Sequence, residues 1–261
     1  MTTDPGTGCS IGQSFGANAN GSYAAGGLLG HPAWDESCTY GSEIKALASG
    51  KVYSTYSPSK PASDGYTAVY TLCRTPLETF EFSYGHVSEI LVPLMSDVKA
   101  GDVIAKEGNK GLVYSGGTLI TLAMQTAGDR RGSHRHYQKR PVVRKKFAHS
   151  PFLQTEQGPY FDDEGYYYEV PMPNNGFRGC VDWRAPLFNR DLGAGQENYY
   201  VLLLQRAMVL EGFATYEPTG FFGAKTFNSL RAYQKAHNIS STGYCGPMTR
   251  ASLNAKYHQL S

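Results

Sequence analysis

Two hydrophobic periods divide the chain. Up to about residue 190, apolar positions fall in short runs broken by Gly, Pro, Ser and Asp: "GYTAVYTLC" (65–73), "FEFSYGHV" (80–87) and "GTLITLAMQT" (117–126). Such runs between turn residues predict short strands. "SDVKAGDVIAKEG" (96–108) reads as a hairpin: strand, Gly-Asp turn, strand. Residues 151–190 are aromatic and turn-rich and are expected to be loops and edge strands that complete this region. After Tyr199 the period becomes 3.6. "YYVLLLQRAMVLEGF" predicts a helix ended by Gly212, and "FNSLRAYQKAHNI" places Phe227, Leu230 and Tyr233 on one helical face. An internal repeat, "TGFFGAKT" (219–226) and "TGYCGPMT" (242–249), fits two glycine turns that each feed a helix, with Pro247 in a first helical turn. The expectation is a multi-domain α+β protein. Residues 1–190 form an antiparallel, β-sheet-rich domain, 191–198 a Gly-rich linker, and 199–261 a small three-helix domain.

Composition sharpens this picture. At 261 residues the chain exceeds the usual single-domain size, and a hydrophobic share of 41% argues against disorder. Nineteen Tyr and thirty Gly favour strands and turns over a helical bundle. The net charge of +2 is unevenly spread. Residues 130–146 hold eight Lys or Arg and no acid, leaving sixteen basic against twenty-two acidic residues elsewhere. A basic strip on an otherwise acidic chain suggests a local purpose. No apolar stretch approaches the ~20 residues that span a bilayer, so no membrane partner is expected. The start "MTTDPGTGCS" lacks the basic head and apolar core of a signal peptide. Five cysteines without a CxxC pair argue against a thiolate metal site, and their odd number leaves at least one thiol free or paired to another chain.

The histidines carry the chemistry. His237 ends a helical stretch, His258 lies in the tail and His149 follows a Lys-rich run, so none of the three is expected to act. His134 and His136 are two apart in a predicted strand, where i and i+2 side chains share a face. Upstream, "GLLGHPAWDES" supplies His31 and Asp35 in a turn. Zinc in hydrolases takes three nitrogen or oxygen ligands and keeps a fourth position open. His31, Asp35 and one member of the His134/His136 pair provide that set.

The tail "LLQRAMVLEGF…PTGFFGAKTFNSLRAYQKAHNISSTGYCGPMTRASLN" resembles the peptidoglycan-binding domain common on cell-wall enzymes. The first domain resembles lysostaphin-type (LytM-like) zinc metallopeptidases over nearly all of residues 10–140. The matching elements are Gly-His31-Pro-Ala-Trp-Asp35, "SYGH" ending in His86, "VKAGDVIAKEGNKG", and His134-Arg-His136. The resemblance implies one Zn²⁺ per chain on His31, Asp35 and His136, with His134 as general base. His86 would stabilise the oxyanion or protonate the leaving amine. The chain departs from the family pattern at Ala33 and Tyr137, and in a longer stretch from Gly111 to Ser133, which predicts a rebuilt groove wall.

What the resemblance implies is a monomeric zinc endopeptidase with bacterial peptidoglycan as partner and no nucleic acid. It would act at the cell wall, periplasmic or extracellular, as a phage-type endolysin or a cell-wall hydrolase. Two other classes stand beside it. One is a catalytically inactive wall-binding protein. The other is a polyanion or nucleic-acid binder using the strip 130–146, which would require aromatic residues interleaved with the charges, where only Tyr137 and Phe147 occur.

Overall fold

Continuous burial, rather than simple alternation, builds the first region. The computed structural model describes residues 9–19, 22–25, 27–56, 65–146, 166–169, 171–172, 175 and 177–258. The chain separates into two units, Met1–Arg74 with Thr79–Asp182, and Thr75–Glu78 with Trp183–Ser261.

In the first unit the elements are β1 (Ser10–Ile11), α1 (Ser22–Ala25), β2 (Trp34–Ser37), β3 (Glu43–Lys45), β4 (Gly50–Tyr56), β5 (Ala68–Arg74) and β6 (Thr79–Gly85). There follow β7 (Glu89–Ile90), β8 (Asp97–Val98), β9 (Val103–Lys106), β10 (Val113–Ser115), β11 (Thr118–Ile120), α2 (Leu122–Thr126), β12 (Arg135–Lys146) and β13 (Tyr166–Glu169). The main sheet runs β1-β2-β12-β6-β5-β4-β8, with β13 on β12; a second runs β3-β9-β7, and β10-β11 stand as a ribbon. All pairings are antiparallel. β5 and β6 are covered on both faces, so Val69, Leu72, Phe80, Phe82 and Tyr84 are all buried. β5 reads accordingly as a nearly continuous apolar run, whereas in β6 the alternating Glu81 and Ser83 are buried as well.

Two local expectations change. The stretch 96–108 turns at Gly101 (φ +96°) as predicted. Its strands do not pair with each other, however: β8 joins β4 and β9 joins β3 and β7. A turn signal fixes local reversal, not the partner of each arm. In "GTLITLAMQT" only Thr118–Ile120 is strand; Thr121 then caps a short helix, its hydroxyl accepting from the Met124 N–H at 3.3 Å. Cys9 and Cys38 form a disulfide, while Cys73, Cys180 and Cys245 are free and buried.

The second unit holds α3 (Tyr199–Leu210), α4 (Ala224–Ala236) and α5 (Pro247–Lys256). Asn198 caps α3, its Oδ1 accepting from the N–H groups of Tyr200 and Val201 at 3.0 and 3.1 Å. Gly212 follows α3 at φ +78°, and Pro247 opens α5. The sequence repeat is a structural one. Gln205 of α3, buried, donates to Phe221 O and Thr226 Oγ1 and accepts from the N–H groups of Thr219 and Gly220. Gln234 of α4 holds the second loop the same way, donating to Tyr244 O and Thr249 Oγ1 and accepting from Gly243 N–H. A repeated Gln-[Arg/Lys]-Ala (205–207 and 234–236) is the sequence trace of this device. Residues 191–198, expected as a linker, pair with both loops through Leu192–Cys245 and Glu197–Phe221 bridges. Leu192 is buried there, which a glycine-rich composition does not reveal. No described helix is long and apolar enough to cross a membrane.

Candidate metal centre

Strand register, not sequence proximity, assembles the site. Asp35 lies on β2 directly opposite His136 on β12, and His136 is opposite Gly85, the last residue of β6, on its other side. His86 therefore emerges beside His136. It adopts φ +58°, a left-handed conformation that costs a non-glycine residue about 1–3 kcal/mol. His134 just precedes β12 and is held by its N–H donating to Gly108 O at 3.1 Å. His31 sits before β2. Its N–H donates to Ala17 O and its carbonyl accepts from Gly16 N–H, both at 2.8 Å. Gly30 permits this approach, since a Cβ there would lie 2.7 Å from the Gly16 carbonyl carbon.

All five sequence-predicted residues meet. Asp35 Oδ1 lies 2.8 Å from His136 Nδ1, 3.4 Å from His31 Nε2 and 3.8 Å from His134 Nε2. The ligand atoms of His31, Asp35 and His136 fall within 4.8 Å of one another, and so do those of His86, His134 and His136. The His86 and His134 rings are 4.5 Å apart. His31 is buried, yet neither ring nitrogen has a hydrogen-bond partner. Buried polar atoms without partners are costly. Two imidazoles and one carboxylate around an orphaned nitrogen form a donor set that suits a divalent cation with nitrogen and oxygen ligands.

The two remaining imidazoles are oriented by main-chain carbonyls. His86 Nδ1–H donates to Lys110 O at 2.6 Å and His134 Nδ1–H to Gly132 O at 2.8 Å. In each neutral ring the proton is thus on Nδ1 and the lone pair on Nε2. Both carbonyls come from the 108–132 stretch, and no motif in the sequence marks them.

Burial pushes the His31 pKa down to about 4, against the pull of the Asp35 carboxylate. Burial, followed by the charges of His134 and His136, holds His86 well below the ordinary imidazole range. At Asp35 burial favours the neutral acid, but the His136 hydrogen bond and the three imidazole charges outweigh it and lower its pKa. The metal-free chain therefore keeps His31 and His86 neutral where the unfolded chain protonates them. Stability is fully present above pH ~6.5 and falls as the pH drops from there toward 4, because only the unfolded state takes up these protons. The Asp35 contribution is lost only below that window. Urea midpoints of chelator-treated protein should accordingly be lower at pH 5 than at pH 7.5. Equal midpoints would contradict neutral burial of these imidazoles.

Among its described residues, the basic strip is not a row of free cations. Arg135 pairs at 3.1 Å with the fully buried carboxylate of Glu107. Arg131 pairs with Asp129 at 2.7 Å and Arg140 with Glu81 at 3.2 Å. Lys139 is buried over the Phe80 ring, and Arg130 lies over Tyr40. The side chains of residues 144–146, together with Phe147 and His149, lie outside the described residues. His237 follows α4 and donates Nδ1–H to Tyr233 O at 2.9 Å, which caps the helix.

Residues 30–140 match the profile of peptidase family M23, and residues 198–253 that of a putative peptidoglycan binding domain. No curated protein matches the chain. Among solved structures the chain is similar to LytU, at 23% identity over 51% of this chain and 74% of that one, with a TM-score of 0.35. It is also similar to the catalytic domain of the prophage-encoded M23 protein EnpA from Enterococcus faecalis, at 22% identity over 52% and 83%, TM-score 0.34. The catalytic domain of lysostaphin from Staphylococcus simulans is similar at 20% identity over 51% and 80%, TM-score 0.34. The M23 match and the peptidoglycan-binding match follow one another along the chain.

Proposed function

We propose that the protein is a zinc-dependent endopeptidase that hydrolyses peptide bonds in the stem peptides or cross-bridges of bacterial peptidoglycan, as a phage-type endolysin or cell-wall hydrolase. The convergence of His31, Asp35 and His136 beside two further imidazoles, within the segment that matches peptidase family M23, carries this reading. One zinc per chain would be held by His31, Asp35 and His136. When bound, the ion supplies a Lewis acid that polarises the scissile carbonyl and acidifies water.

The chain's own groups do the proton work. His134, with its Nδ1 proton committed to Gly132 O, offers Nε2 as the general base toward an attacking water. His86 is likewise a proton acceptor at rest, because Lys110 O takes its Nδ1–H. It becomes a donor only after gaining a proton, which the attacking water would supply by way of His134, whose ring is 4.5 Å away, so its part falls late, at the oxyanion or the leaving amine. Burial and the neighbouring imidazoles disfavour its charged form, which eases return of that proton. The second unit would hold a monomeric enzyme on its insoluble polymer at the cell wall and raise the local substrate concentration.

Digestion of defined peptidoglycans, with products read by mass spectrometry, tests this reading. The expected products carry new peptide amino termini and vanish when chelator is added. New glycan reducing ends, or peptide products indifferent to chelator, would refute it. Chelator-treated protein is also expected to co-sediment with purified walls as well as untreated protein does. Loss of binding together with cleavage would refute a separate wall-binding unit.

A further inference from the structure

Behind the histidines lies a second buried polar cluster that the chemistry above leaves unused. Glu107 follows β9 and is fully buried. Its Oε1 accepts from Cys38 N–H and Ser133 Oγ, both at 3.1 Å. Its Oε2 accepts from Arg135 Nε at 3.1 Å and Ser42 Oγ at 3.3 Å. Its main-chain carbonyl accepts from Ser88 Oγ at 2.8 Å and Gly41 N–H at 2.9 Å. The partners flank the metal-site residues on every side. Cys38 directly follows β2, which carries Asp35; Ser133 and Arg135 bracket His134; Ser88 is two residues beyond His86. The next residue, Gly108, accepts from both His134 N–H and Ser133 Oγ at 3.1 Å, and a Cβ there would lie 2.8 Å from His86 O.

Stability alone does not explain such a cluster. A buried ion pair replaced by well-packed apolar residues is often as stable or more so. What the cluster does fix is orientation. Along a strand, Arg135 alternates with His134 and His136, so pinning it sets the direction in which both imidazoles project. Metal sites are sensitive to such placement, because ligand distances must fall within about 0.2 Å of their preferred values.

We propose that Glu107 is a positioning residue for the metal centre: by clamping the end of β2 to the start of β12 it sets the mutual placement of Asp35, His134 and His136. The proposal rests on the zinc reading above.

Glu107→Gln keeps the shape of the side chain but turns one acceptor into a donor facing other donors. The folded variant should bind zinc about 10-fold more weakly in chelator competition, the weight of one hydrogen bond to a charged group in the clamp. Its cobalt-substituted form should show an altered visible absorption spectrum. In the double variant Glu107→Gln with Arg135→Met, the loss should be smaller than the product of the two single losses, because the pair acts as one unit. A carboxylate that merely stabilised the fold would lower the melting temperature and leave zinc affinity and the cobalt spectrum at wild-type values. That result overturns the proposal. If Glu107→Gln does not fold, Ser133→Ala decides: weakening of about 3-fold or more, the weight of one hydrogen bond, supports it, and wild-type affinity overturns it. Failure of the wild-type chain to bind zinc would overturn the metal reading and this proposal with it. Normal wild-type binding with an unaffected Glu107→Gln overturns the positioning role alone.

Discussion

His31→Ala is expected to bind no stoichiometric zinc and to lose peptidoglycan cleavage by several orders of magnitude. His31 is buried and neither ring nitrogen is committed to a hydrogen bond, so its loss removes one of the three proposed ligands outright. Asp35 and His136 remain, but two ligands do not make a zinc site of the hydrolytic type. The variant is also expected to remain folded without metal, because removing the ring deletes a buried polar group that the metal-free chain leaves unsatisfied. Metal content by atomic emission and turnover on purified walls check both halves. Zinc retained at one per chain would mean that the ligand set is wrong.

His134→Ala separates chemistry from ligation. Its Nε2 stands 3.8 Å from Asp35 Oδ1, the longest of the three imidazole approaches, and its Nδ1 is committed to Gly132 O. Zinc content should therefore stay at the wild-type level while turnover falls by about 10²–10⁴-fold, the usual weight of a general base. His86→Ala should cost about 10²-fold or more, as for one lost oxyanion or proton-donor contact. Both variants near full activity would show that neither imidazole takes part in the reaction.

The neighbourhood of these residues was legible to different depths. The pairings H-x-x-x-D and H-x-H, with His86 after a strand, name five positions, and the structure brings all five together. The residues that orient them have no signature. Lys110 and Gly132 act through main-chain carbonyls, which every residue possesses, and Glu107 appears in the sequence as one acid in a charged stretch. The basic strip misleads for a related reason. Charge can be counted from composition, whereas the partners that engage Arg135, Lys139 and Arg140 come from 28 to 59 residues away.

By itself the sequence determined what depends on local physics. A change of hydrophobic period separated a strand-rich region from a helical one, the repeated glycine turns announced two similar loops, and Gly212 and Pro247 marked helix ends. Each follows from side-chain spacing and backbone preference within a few residues. Only the tertiary structure decided which strands meet. The arms of 96–108 went to different sheets, residues 191–198 were drawn against both repeat loops, and the register of β12 between β2 and β6 set His136 between Asp35 and Gly85. Those outcomes rest on burial and hydrogen bonding between segments up to about a hundred residues apart, and one residue of slip would have turned His136 to the opposite face.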